Sequence, residues 1–377
     1  VAGFYIAFYF DINITTKYNT QQAKRLRDCE SVQMVKRRDL PANAQAAAIV
    51  KVLDRNSALS GYRRPPDLFA EWLHIVELTL LRMPAHLKTI SQLGVLDQDP
   101  PEVQEVWKRV GHFYGTHTSE AFGNFREAFG LLCESADPDD MKDLLGPIYM
   151  AWVGGGESWG QFFTPMSLSQ LLALMLMDVD ENRADLVRRV QEAIARSPHP
   201  ELTVPADDAE WEAFIRSTSA TWGPYVDVFA LSEPACGSGG MLLAGAQRFP
   251  RWALTTGLVQ LHGIDLDPNC TRMTRINLML YGLCPDYVIC GNALIDSPTD
   301  IAQKIAANRE QRLRWAQPVN VLPVAADVPE AEPARPLAEL EPRPLSPVTA
   351  VKPRRTVPAR PRAKTRQTLQ VGLGIGD

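Results

Sequence analysis

Between residues 226 and 292 the chain alternates short, continuous apolar runs with glycine turns and helical segments, and few folds accept that alternation. Residues 226–231 read as a buried strand, and Glu233-Pro-Ala-Cys-Gly-Ser-Gly-Gly240 as a glycine loop. A helix follows over 241–249, then a second strand over 258–264 that ends in Asp265. A second helix over 268–281 and a third strand over 287–290, followed by Gly291 and Asn292, complete the pattern. Strands separated by helices of this length form a parallel, doubly wound sheet, so the expected fold class is α/β.

The flanking sequence differs in character. Residues 1–42 form an uncertain N-terminal segment. Its first ten residues are apolar but shorter than the roughly 20 that span a bilayer, and they lack the basic region and cleavage site of a signal peptide. They read either as a strand or as a processed, truncated or mis-started end, with Met34 an alternative start. Residues 43–150 carry helical periodicity: Leu68, Trp72, Ile75, Val76 and Leu80 fall on one face, behind an entry at Pro65-Pro66-Asp67 and ahead of a stop at Pro84. Further helices are expected from Pro101, over 122–133 and over 138–150. After Gly154-Gly-Gly156 come helices over 167–177, 181–196 and 207–217, and a last one over 300–315 closes the ordered part, so that 151–317 is expected to form the sheet-containing domain.

Residues 318–377 hold eleven of the 29 prolines and segregate their charges, acidic first and then basic over 343–366. That composition reads as a disordered, polyproline-like tail whose basic half is either solvated with no specific partner or adds contacts to phosphates on nucleic acid. The whole chain has 39 basic and 44 acidic side chains, a net charge of −5, which excludes a uniformly basic nucleic-acid coat. Six scattered cysteines, with no CxxC pair and no histidine at ligand spacing, point to a reduced, cytoplasmic protein without a metal site. His74, His86, His112 and His117 read as ordinary surface or core residues.

A glycine loop between a strand and a helix brings backbone N–H groups close to a ligand at the positive end of the helix dipole. Asp265, at the carboxyl end of the next strand, is placed to accept hydrogen bonds from ribose hydroxyls, and Asn292 to face an adenine edge. Together they describe a pocket for an adenosine-containing cofactor. The loop departs from the G-x-G-x-x-G of dinucleotide-binding proteins, which favours S-adenosylmethionine over NAD.

The segment Glu233-Pro-Ala-Cys-Gly-Ser-Gly-Gly240 resembles the cofactor-loop motif of N-6 adenine-specific DNA methyltransferases, in particular the modification subunit of type I restriction-modification systems. Gly160-Gln-Phe-Phe-Thr-Pro165, Gly263-Ile-Asp265 and Gly291-Asn-Ala-Leu294 resemble the family's other motifs, in family order. The resemblance implies a helical N-terminal domain followed by a partial Rossmann-like methyltransferase domain. It implies S-adenosylmethionine as cofactor, held by Gln161, Phe163, Thr164, Pro165, Glu233, Ala235, Gly237, Gly239, Asp265 and Asn292. It also implies DNA as substrate and a specificity or other protein subunit as a further partner, with neither membrane nor metal.

The sequence departs from the family in two places. Glu233 stands where the family has Asp, keeping the charge on a longer arm. The family's Asn/Asp-Pro-Pro-aromatic motif, which grips the flipped adenine, does not occur: Asp99-Pro-Pro-Glu102 lacks the aromatic and reads as a helix start, and Asp296-Ser-Pro-Thr299 follows the third strand too closely. No catalytic residue is therefore assigned, methyl transfer is expected to be impaired, and the chain reads as a truncated or split methylase. The alternative is a non-enzymatic DNA-associated or interaction protein derived from a methylase. Cys236 is expected to pack rather than react, Arg272 and Arg275 to be solvated, and the outer edge of the first strand to lie open unless residues 4–14 or another chain cover it.

Overall fold

A computed structural model of the protein describes residues 42–61, 63–153 and 163–319. The expectations for 1–41, for Trp159 to Phe162 and for 320–377 lie outside the described residues. Eight helices precede the sheet among the described residues. The first five are α1 (Ala42–Leu59), α2 (Pro65–Leu93), α3 (Pro101–His112), α4 (Thr118–Ser135) and α5 (Gly146–Trp152), and then come α6 (Met166–Leu176), α7 (Val179–Arg196) and α8 (Asp208–Trp222).

Pro65 and Pro66 sit in the first turn of α2, where a missing N–H costs no hydrogen bond, and Leu68, Trp72, Ile75, Val76 and Leu80 are all buried. The helix does not stop at Pro84 as expected. It runs on to Leu93 and ends at Gly94, whose φ of 69° lets its N–H return to Ile90. Pro84 lies on the exposed side while Met83, Ala85 and Thr89 are buried around it, so packing outweighs the one backbone bond that proline removes. The helix expected over 138–150 is shorter, beginning only at Gly146. Asp137 and Asp143 turn back onto nearby backbone N–H groups, of Asp139 and of Leu145 and Gly146, and such local bonds compete with the helix. Asp99-Pro-Pro-Glu102 is the entry to α3, with Pro100 at the cap and Glu102 in the first turn.

The sheet is three-stranded and parallel, in the order β1 (Phe229–Glu233), β2 (Val259–Asp265), β3 (Val288–Cys290). Phe229 pairs with Val259, Glu233 with Gly263, and Asp265 with Cys290. β1 starts three residues later than the apolar run because Val226 donates its N–H to Gly223, closing a turn over Gly223–Tyr225. Helices α9 (Gly240–Ala246), α10 (Arg251–Thr255), α11 (Pro268–Leu280) and α12 (Pro298–Trp315) complete the α/β pattern. Among the described residues β1 pairs with β2 alone, so its outer edge is open there. The segment Asp296-Ser-Pro-Thr299 is the start of α12: Ser297 and Asp300 form a reciprocal capping box.

One continuous apolar core runs from Ala46 to Val288 and takes in residues of both the helical segment and the sheet. Trp211 of α8 stacks on Trp252 of α10 at 4.3 Å within it. A second join is polar. Arg82 of α2 is 1% exposed, pairs with Asp97 and Asp99, and donates to the carbonyls of Gln98, Trp315 and Gln317. Trp315 in turn donates its indole N–H to Glu102. The guanidinium thus binds α2, the 97–99 loop and the end of α12 in one buried, hydrogen-bonded set.

Arg272 and Arg275, expected to be solvated, are not. Both face Glu77 of α2, at 2.8 and 3.1 Å, because α11 packs on α2 and the carboxylate is otherwise buried. No helix among the described residues is long and apolar enough to cross a membrane.

Removing one partner of a buried ion pair leaves the other charged and desolvated. Arg82→Met is therefore expected to lower stability by about 3–5 kcal/mol, read as a fall in the denaturation midpoint followed by tryptophan fluorescence.

Candidate functional site

The loop after β1 makes a narrow turn that only glycine enters without strain. Gly237 and Gly239 have φ of 54° and 93°, in the left-handed region. At Gly237 a side chain would also approach the Phe163 ring to 3.0 Å, and at Gly239 it would approach Thr274 to the same distance. The loop leads into α9, whose first residue is Gly240.

Four elements hold this loop. From β2, Asp265 accepts the N–H of Gly237 on Oδ2 at 2.8 Å and that of Asp267 on Oδ1 at 2.9 Å. From α11, the buried Thr274 donates to the carbonyl of Gly237, and the buried Asn277 donates to the carbonyl of Ser238. From the turn before α5, Asp143 accepts from the Ser238 hydroxyl, from Asn277 Nδ2 and from the N–H groups of Leu145 and Gly146. Burial pushes the Asp143 carboxyl above the usual carboxylate range, although these hydrogen bonds oppose the shift. From α5, Tyr149 packs against Phe163, ring centroids 5.2 Å apart, and burial followed by the nearby acids Asp267 and Asp265 raises its hydroxyl.

The expected site residues divide into three sets. Glu233, Ala235, Gly237, Gly239, Asp265 and Asn292 share the carboxyl ends of the three strands and the loops that follow them. Glu233 is half-buried and accepts the N–H of the exposed Ala235 at 3.3 Å. Asn292 accepts the N–H of Leu294 on Oδ1 and donates its own N–H to Asp296, so it organises the turn after β3. Phe163 lies over the glycine loop, as the Gly237 approach shows. Thr164 and Pro165 are exposed at the start of α6, where Pro165 accepts the first backbone bonds of the helix. Gln161 lies outside the described residues.

Cys236 is 5% exposed, and burial pushes its thiol up to about 12, so it packs beneath the loop as a neutral side chain. His262, its one candidate base, stacks on Tyr287 and contacts Gln260. No group of three or more His, Cys, Asp or Glu among the described residues is arranged to hold a metal ion. Sequence reasoning missed Asp143, Tyr149, Thr274 and Asn277. Only Asp143 had a local signal, an acid three residues ahead of a Gly-Pro helix start.

The donor set suits an adenosine-bearing cation. Two carboxylates, Glu233 and Asp265, remain partly exposed, and each oxygen of Asp265 keeps a lone pair beyond its backbone bond. Leu266 is 71% exposed immediately after Asp265, and Leu294 is 94% exposed two residues after Asn292, so apolar surface flanks the acid on both following loops.

Residues 225–319, about a quarter of the chain, match the family model described as N-6 DNA methylase. The match begins just ahead of β1 and covers the whole sheet, the glycine loop and α12. No curated protein and no solved structure matches the chain.

Two outcomes follow from this geometry. Gly237→Ala is expected to cost about 1–2 kcal/mol from the backbone alone, plus a steric part against Phe163. In a double-mutant cycle, Phe163→Ala should recover the steric part only. For Asp143, the raised carboxyl means the folded state holds a proton that the unfolded state releases above about pH 4, so its contribution to stability is lost as pH rises through the folded value. Urea titrations across pH 4 to 7 should show wild type losing stability relative to Asp143→Asn as pH increases, with the difference levelling off once Asp143 is ionised in both states.

Proposed function

We propose that the chain is a methylase-like protein whose partial Rossmann-like half binds S-adenosylmethionine at the carboxyl ends of β1 to β3. The observation that carries this reading is one constellation. A glycine loop of left-handed residues is tied by its Gly237 N–H to the acid that ends the next strand, within the segment that matches the N-6 DNA methylase family.

Each part of the ligand has a residue suited to it. The Glu233 carboxylate suits the methionine amino group. Asp265 suits the two ribose hydroxyls with its remaining lone pairs, while its bond to Gly237 sets the distance between acid and loop. Leu266 and Leu294 offer apolar surface for the purine, and Asn292 an amide for its edge. Phe163, Thr164 and Pro165, with Gln161, belong to the methionine side by the order of the family's motifs. When bound, the cofactor supplies an electrophilic methyl on its sulfonium. The chain's own role is to hold and orient that group.

DNA is the substrate class that the family match implies, and a specificity or other subunit is the partner that the type I resemblance implies. The 377 residues contain no Asn/Asp-Pro-Pro-aromatic motif, the element that grips an extruded adenine in the family. We therefore assign cofactor binding to this chain and leave it without transfer activity on its own.

Calorimetric titration of the full chain with S-adenosylmethionine is expected to show saturable binding, weakened at least tenfold by Asp265→Ala, which removes both the ribose acceptor and the tie to Gly237. Labelled methyl groups should not pass to duplex DNA. Saturable binding of NAD that excludes S-adenosylhomocysteine would overturn the cofactor reading. Asp265-dependent methylation of DNA would overturn the inactive one.

A further inference from the structure

Away from the glycine loop, a cavity of about 320 Å³ opens between α11 and α12 beside β3. Arg272 and Arg275 line it from α11, Lys304 and Asn308 from α12, Ile289 from β3, and Glu77 from α2 at its base.

The charge in this cavity is unbalanced. Glu77 serves both arginines, and each turns its Nε toward that one carboxylate, Arg272 at 2.8 Å and Arg275 at 3.1 Å. The terminal Nη groups of both make no hydrogen bond among the described residues. Lys304 is paired with Asp296 at 2.5 Å, and Asn308 donates to the carbonyls of Val288 and Asp286, which closes the strand edge beside the cavity. One carboxylate against two guanidiniums leaves a net positive charge at the centre. His74, on the same side of α2, feels it: burial, then the charge of Arg272, depresses its imidazole to about 4. It is neutral at physiological pH and adds no charge of its own.

Arg272 is hydrogen-bonded to Glu77 through Nε, and Arg275 is ion-paired with the same carboxylate, its Nε left without a hydrogen-bond partner. Guanidinium N–H groups not taken up by a carboxylate are donors suited to phosphate oxygens. The cavity is larger than a bare phosphate needs, so such a group would arrive attached to a sugar or a chain. We propose that this cavity is a phosphate site, with Arg272 and Arg275 as the binding residues, Lys304 at its rim and Glu77 fixing the two forks. The phosphate is that of a nucleic-acid backbone or of a free nucleotide. The backbone source would deepen the DNA reading above, and the site itself does not require that reading.

The test uses the full chain and two probes, inorganic phosphate and a short labelled DNA duplex, with thermal melting of each variant as the folding control. Phosphate titrated against chloride at constant ionic strength is expected to bind saturably, with a loss of tenfold or more in Arg275→Gln and a smaller loss in Lys304→Gln. If the source is nucleic acid, phosphate competes with the duplex, and Arg275→Gln flattens the salt dependence of duplex binding by about one unit of slope. If the source is a free nucleotide, phosphate binding is lost while duplex affinity is unchanged. Folded variants that leave both phosphate and duplex binding at wild-type values, or a wild type that binds neither, would overturn the proposal.

Discussion

The structure turns on a buried carboxylate. Asp143 sits at the end of the helical segment and accepts hydrogen bonds from Ser238 in the glycine loop and from Asn277 behind it. A carboxyl group in that position is expensive to desolvate and is retained only where several donors converge on it. Because those donors come from α11, the loop and the start of α5, their convergence requires all three to be in place together. The conformation of the glycine loop is therefore a property of the assembled helices and sheet rather than of the loop's own residues.

That dependence bears on function. A loop with positive-φ glycines is entropically costly to order, and its glycines bring no side chains to anchor it. Here Thr274 and Asn277 hold its carbonyls, and Asp265 holds one of its N–H groups. Asp265, the acid at the end of β2, is thus also a group that sets the loop, so the strand end and the loop conformation are coupled through one side chain. Arg82 does comparable work elsewhere, where a buried guanidinium joins α2 to the end of α12 and so fixes the helix that follows β3.

Much of this was legible in the sequence. The strand–loop–helix alternation, the glycine loop, Asp265 at a strand end and the apolar face of α2 follow from periodicity and turn chemistry, which act over a few residues. The misreadings have a common cause. Pro84 signals a stop because proline removes a backbone bond, yet buried neighbours keep the helix going through it. The helix over 138–150 was shortened by Asp137 and Asp143 binding local N–H groups. Arg272 and Arg275 looked solvated because nothing within α11 pairs them. Their partner lies 195 residues away from Arg272 along the chain.

By itself, then, the sequence determined the α/β alternation, the glycine loop after the first strand and the acid that ends the second. Each of these is set by chemistry between residues that are near in the chain. Only the tertiary structure decided which charges are buried, that Asp143 and Asn277 support the loop, and that Glu77 gathers two arginines into a cavity. Those outcomes depend on which helix packs on which, and desolvation takes effect only when distant segments close over a group and exclude water from it.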